Sequence, residues 1–140
     1  MARYETPEGK QFAPWTLMDG KWVMRAPGRP RPLYNLAELT ARPEAPVLIV
    51  EGEGCCEAAH AFAGSVYVVT TWPFGAMAIN AADWRVLSGR KVLIWPDADE
   101  PGRKAGKKIA GILHELGCPE VKVIDTGGQS GGWDAADSGF

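Results

Sequence analysis

The chain has few cysteines, no long apolar run and almost no net charge, and each shortage narrows what it can be. Only Cys55, Cys56 and Cys118 occur among its 140 residues. An odd count with two adjacent thiols makes no disulfide framework, so a reducing compartment is expected. There is no C-x-x-C pair of the zinc-site type. No apolar run approaches the roughly 20 residues that span a bilayer. The opening "MARYETPEGK" has no signal-peptide apolar core. The expected location is cytoplasmic, with no membrane partner. Net charge is −2, from 15 basic and 17 acidic residues. The whole chain therefore offers no electrostatic case for binding nucleic acid, and any such case rests on local patches.

What is present suits one globular domain. Apolar residues make up 46% and charged residues 23% of the chain, enough to build a core and cover it. Residues 1–32 read as a short β-rich extension. "PEG" at 7–9 and "DG" at 19–20 are turn signals, and Phe12, Trp15, Leu17, Trp22 and Val23 supply strand residues. "RAPGRPRP" at 25–32 marks the boundary with a second unit, 33–140. There, Asn35 is placed to cap a short helix, "LAELTA". "VLIV" at 47–50, "VYVVTT" at 66–71, "KVLIW" at 91–95 and "VKVID" at 121–125 read as strands. Helical spacing falls between them, at "CCEAAHAFA" and over about 101–117. Strands apolar from end to end, alternating with helices, predict an α/β fold: a small Rossmann-like parallel sheet of about four strands, flanked by helices. Ligands in such sheets bind beyond the carboxyl ends of the strands.

Acids recur at those ends. Glu51 follows the first strand and Glu53 opens the next helix; Asp97 and Asp99 follow the third strand; Asp125 follows the fourth. Gathered carboxylates repel unless a cation is present. A hard divalent ion such as magnesium prefers oxygen ligands and often bridges to substrate phosphates. If 97–99 is extended, both aspartates point to one side, with Ala98 opposite. Structural explanations compete. Glu53 and Glu57 suit a helix N-terminus, and Asp99 or Glu100 would cap a helix beginning near Pro101.

Cations follow at once. Arg103, Lys104, Lys107 and Lys108 lie opposite the apolar stripe Ala105, Ile109, Ile112, Leu113 and Leu116. They either form a solvated face or, for Arg103 and Lys104 above all, contact phosphate near the helix start. Cys56 and His60 stand one helical turn apart, but two soft ligands fall short of the four a structural zinc needs, so packing is expected. Trp72 and Phe74 would stack on unpaired bases or anchor their loop. The arginines of "RAPGRPR" would hold backbone phosphates or form a solvated linker.

"VLIVEGEG" at 47–54 followed by "VLIWPDADEPGRKA" at 92–105 resembles the Toprim domain shared by topoisomerases, primases and some nucleases. "TTWPFGAMAINAADW" at 70–84 and "GGWDAAD" at 131–137 are similar to the primase-type Toprim regions of phage and mobile-element primase–helicase proteins. The resemblance covers about residues 33–138 and is specific in combination. It implies magnesium- or manganese-dependent nucleotidyl or phosphoryl transfer on nucleic acid in DNA replication. Glu51 would be the general acid/base and help hold the metal, and Asp97 and Asp99 would coordinate it. Glu53, Asp134 and Asp137 would assist the site or only cap turns. The implied partners are nucleic acid, single-stranded by preference, with nucleotides and a helicase or other replication protein. Two departures stand out: Gly54 replaces a lysine common in related primases, and Phe74–Gly75 replaces a common Gly-Gly. Zinc-ribbon cysteines, a G-x-x-x-x-G-K loop and room for a full primase core are absent, and residues 1–32 would be a remnant of the segment preceding Toprim. Two other functions remain open. One is a Toprim nuclease using the same acids; the other is a non-catalytic module binding nucleic acid or a replication partner.

Overall fold

Two antiparallel hairpins open the chain. In the first, β1 (Ala2–Thr6) pairs with β2 (Gly9–Ala13); in the second, β3 (Thr16–Met18) pairs with β4 (Lys21–Val23). The computed structural model describes residues 2–6, 9–13, 15–25 and 28–128, the first two stretches as backbone alone. The "DG" signal is realised: Asp19 and Gly20 both take positive φ, 49° and 76°, as a two-residue turn matched to strand twist requires. Residues 7 and 8 of the "PEG" signal lie outside the described residues.

Then come α1 (Leu36–Ala41), β5 (Val47–Val50), α2 (Glu53–Ala63), β6 (Val68–Thr70), β7 (Lys91–Trp95), α3 (Glu100–Glu115) and β8 (Glu120–Val123). Two 3₁₀ segments, Ala76–Ala81 and Trp84–Leu87, fill the connection from β6 to β7. The stretch "WPFGAMAIN" thus contains a helical segment. Asp83 caps the second segment, accepting from the Arg85 N–H at 3.2 Å.

The last four strands form one parallel sheet in the order β6-β5-β7-β8. Alternation along the strands splits the core into two layers. Val47, Ile49, Val92 and Ile94 pack with Leu39, Leu87, Ile109 and Leu113. Leu48, Val50, Val69 and Trp95 pack with Cys56 and Ala59 of α2. Helices therefore cover both faces, which explains why these strands are apolar throughout. No helix among the described residues is long and apolar enough to cross a membrane.

Two polar residues tie the layers together. Asn35 precedes α1 but does not cap it: its φ is 57°, and its Nδ2 donates to the Val69 carbonyl at 2.9 Å. Holding β6 in place wins over local capping. At the opposite edge of the sheet, Arg90 is only 8% exposed. Its guanidinium donates to the carbonyls of Leu39, Arg42 and Ala45 at 2.9, 2.6 and 2.7 Å, closing the end of α1. Burial lowers its pKa.

Candidate active site

The connections from β5 and β7 leave in opposite directions, so the switch point, where sheets of this kind take their ligands, lies beyond these two neighbouring strands. The register decides what stands there. Val50 is opposite Trp95, so Glu51 follows level with Pro96, and Asp97 comes next. Ile49 pairs with Thr70 and Ile94 with Val123, which brings Trp72 and Asp125 to the same level. The strand-end acids expected from sequence are gathered along one edge.

Glu51 is half-buried and lines a small gap with Trp72, Trp95, Pro96 and Gly106. Gly52 turns the chain into α2 with φ 83°, and its N–H donates to Thr71 Oγ1 at 3.0 Å. The buried hydroxyl at the end of β6 thereby fixes the turn that carries Glu51. Only the second threonine of "TT" has this role, and the pairing of β6 beside β5 creates it.

Asp97 and Asp99 are both half-buried, whereas Ala98 is 3% exposed. β7 ends at Trp95 and the chain bends at Ala98 and Asp99, so 97–99 is not a regular extended run. Asp99 is also the N-cap of α3, accepting from the Gly102 N–H through Oδ1 at 2.6 Å. Capping occupies one of its oxygens. Gly102 is buried beneath this loop. A Cβ there would lie 2.5 Å from the Asp97 carbonyl oxygen and 2.9 Å from both Asp97 Cβ and Asp99 Oδ1. Only glycine lets the first turn of α3 sit directly under the acidic loop.

Arg103 and Lys104 are exposed on that first turn, and Lys104 pairs with Glu100 at 2.8 Å across one helical turn. The helix and the first 3₁₀ segment border a cleft of about 460 Å³, lined by Met77, Ile79, Glu100, Lys104, Ala105 and Lys108. Lys108, for which the sequence favoured a solvated face over phosphate contact, shares this cleft with Lys104. Their common face was visible in the spacing 100, 104, 108, but the opposing wall was not.

The remaining candidates separate. Glu53 is exposed at the start of α2 and lines a different cleft, of about 280 Å³, with Tyr34, Asn35, Thr71 and Pro73. Burial, with Glu57 and Glu53 nearby, raises the Tyr34 phenol pKa. Asp125 accepts from the Gly127 N–H at 2.9 Å and so shapes its own turn. Asp134 and Asp137 lie outside the described residues. Trp72 is 5% exposed and donates to the Gly75 carbonyl at 2.8 Å, so it anchors its loop and offers no face to a base. Phe74 carries Arg31 above its ring at 4.3 Å. Cys56 is fully buried, which pushes its thiol pKa far up, as expected of a packing cysteine.

Among the described residues, no three His, Cys, Asp or Glu side chains converge to hold an ion. The donors on adjacent strand ends are nonetheless all carboxylate oxygens. That suits magnesium or manganese held by one or two acids, with water and substrate oxygens completing the shell, and not a protein cage. No family model, curated protein or solved structure matches the chain.

Proposed function

We propose that residues 33–140 form a Toprim-type domain of the primase kind, catalysing metal-dependent nucleotidyl transfer on nucleic acid. The observation that carries this proposal is the register Val50–Trp95, which sets Glu51 and the Asp97–Asp99 pair on neighbouring strand ends at the topological switch point. Glu51, half-buried beside Trp72 and Trp95, is the acid/base that moves the proton of the attacking or leaving hydroxyl. Asp97, with the second oxygen of Asp99, would hold the metal. When bound, magnesium would neutralise charge developing on the phosphoryl group. Lys104 and Lys108 line the neighbouring cleft, where they would hold strand or nucleotide phosphates.

One observation favours the non-catalytic alternative: Asp99 caps α3, and no third acid converges with the pair among the described residues. Strand synthesis from nucleotides on a single-stranded template, run beside cleavage of labelled DNA and RNA, separates the possibilities. Magnesium-dependent joining that is lost in Asp97→Ala is the expected result. Cleavage without joining would make the protein a nuclease. Activity surviving Asp97→Ala would overturn the assigned mechanism.

A further inference from the structure

The hydroxyl of Thr126 is buried without a structural task. Thr126 follows β8 and is 1% exposed. Its Oγ1 is shut off from solvent and has no hydrogen-bond partner among the described residues. A hydroxyl in that state loses its hydration and gains nothing, and valine would fill the same space without that loss. Orphaned groups of this kind are few in a native structure, and a bound water, ion or reacting group is the usual reason for one.

The local chain holds this side chain inward. Asp125 Oδ1 accepts from the Gly127 N–H at 2.9 Å, and both residues of that turn are exposed while Thr126 between them is buried. The register places it beside the acidic loop. Val123 pairs with Ile94, and the Ile124 N–H donates to the Ile94 carbonyl at 2.8 Å. Thr126 and Asp97 each lie three residues beyond that pair, on adjoining strand ends. Helix α3 closes over the same place: a Cβ on Gly106 would lie 3.3 Å from Pro96 Cβ and 3.5 Å from Val123 Cγ1. The acidic edge is meanwhile short of oxygens. Capping takes one from Asp99, and no third acid converges with the pair among the described residues. A neutral hydroxyl adds an oxygen without adding repulsion between acids.

We propose that Thr126 is a positioning residue of the acidic edge, its hydroxyl hydrogen-bonded to a water that magnesium keeps beside Asp97. The inference rests on the metal site proposed above and extends it to the end of β8. A threonine hydroxyl accepts from such a water and still has a proton to donate. Partners of this kind orient the ligands of a metal, and losing one typically weakens its binding by about 10–100-fold.

Magnesium titration of the full chain followed by NMR, with thermal denaturation in EDTA, tests this in wild type, Thr126→Val and Thr126→Ser. Thr126→Val should bind magnesium about tenfold more weakly. In EDTA its Tm should equal or exceed that of wild type, because the unsatisfied hydroxyl is gone. Thr126→Ser should behave in the opposite way, with affinity near wild type and a lower Tm from the lost methyl group. A residue that only packs would make affinity follow stability in both variants. Wild-type magnesium affinity in a folded Thr126→Val would overturn the proposal and leave the Glu51–Asp97 site standing. A lower Tm for Thr126→Val in EDTA would also sink it, since the hydroxyl would then have a partner within the fold. Failure of the wild-type protein to respond to millimolar magnesium would bring down the metal site and this inference together.

Discussion

Gly102 lies so close beneath Asp97 that a methyl group on it would stand 2.5 Å from the Asp97 carbonyl oxygen. The close approach couples the start of α3 to the acidic loop, and it reverses an ordinary expectation. Alanine normally improves a helix over glycine by about 1 kcal/mol. Gly102→Ala should instead destabilise the protein by about 1–3 kcal/mol, the usual range for overpacking. Gly111 is the internal control. It lies in the same helix, where an added Cβ would meet nothing within 4 Å. Thermal denaturation should therefore show a lower Tm for Gly102→Ala and a higher one for Gly111→Ala.

Asp99 combines a structural role with a proposed chemical one, and two substitutions separate them. Asp99→Ala removes the acceptor for the Gly102 N–H and should cost about 0.5–2 kcal/mol. Asp99→Asn keeps an oxygen for that bond and removes the charge. Its Tm should stay near wild type while its metal-dependent activity falls. Denaturation and transfer assays on the two variants check this directly.

Arg90 should matter for folding and not for chemistry. Its guanidinium serves three carbonyls at the edge of the sheet away from Glu51. Arg90→Met leaves those acceptors without their donor and should lower stability by about 3–5 kcal/mol. Arg90→Lys should recover only part, since an ammonium cannot fork across three oxygens. Urea denaturation is the suitable measurement.

Asp83 gives a pH dependence with a definite sign. Arg85 donates to it through Nε at 2.8 Å and Nη2 at 3.0 Å. That side-chain hydrogen bond, foremost among the causes, holds the Asp83 carboxyl below its usual range. A carboxyl with a lowered folded pKa adds stability above its unfolded value, about 3.9, and loses it as pH falls through the folded one. Wild type should therefore be slightly more stable than Asp83→Asn at neutral pH. The gap should close below about pH 4 in a Tm–pH profile.

These contrasts indicate how far the sequence could be read. The central strands 47–50 and 91–95 were legible because both faces of the sheet are covered and the runs are apolar without interruption. β6 is shorter than "VYVVTT" suggested, because pairing with β5 begins only at Val68, and Tyr67 still donates to Ala63 at the end of α2. Asn35 looked like a cap by local rules, yet its amide reaches a carbonyl 34 residues away. The acids at the strand ends followed from topology. Thr71 and Gly102 did not, because each acts through contact with an element that only the folded sheet brings near. The wall of the Lys104–Lys108 cleft stayed hidden because "GAMAIN" carries no strong helical period.

The most direct test of the central claim, that Glu51 and Asp97 form a metal-binding acidic edge, is a magnesium and manganese titration followed by NMR on wild type, Glu51→Gln and Asp97→Asn. Saturable shifts, and with manganese selective line broadening, centred on Glu51, Asp97 and Asp99 are expected in wild type. These effects should weaken in Glu51→Gln and disappear in Asp97→Asn. Absence of any response at these residues at millimolar metal, or an unchanged response in Asp97→Asn, would contradict the claim.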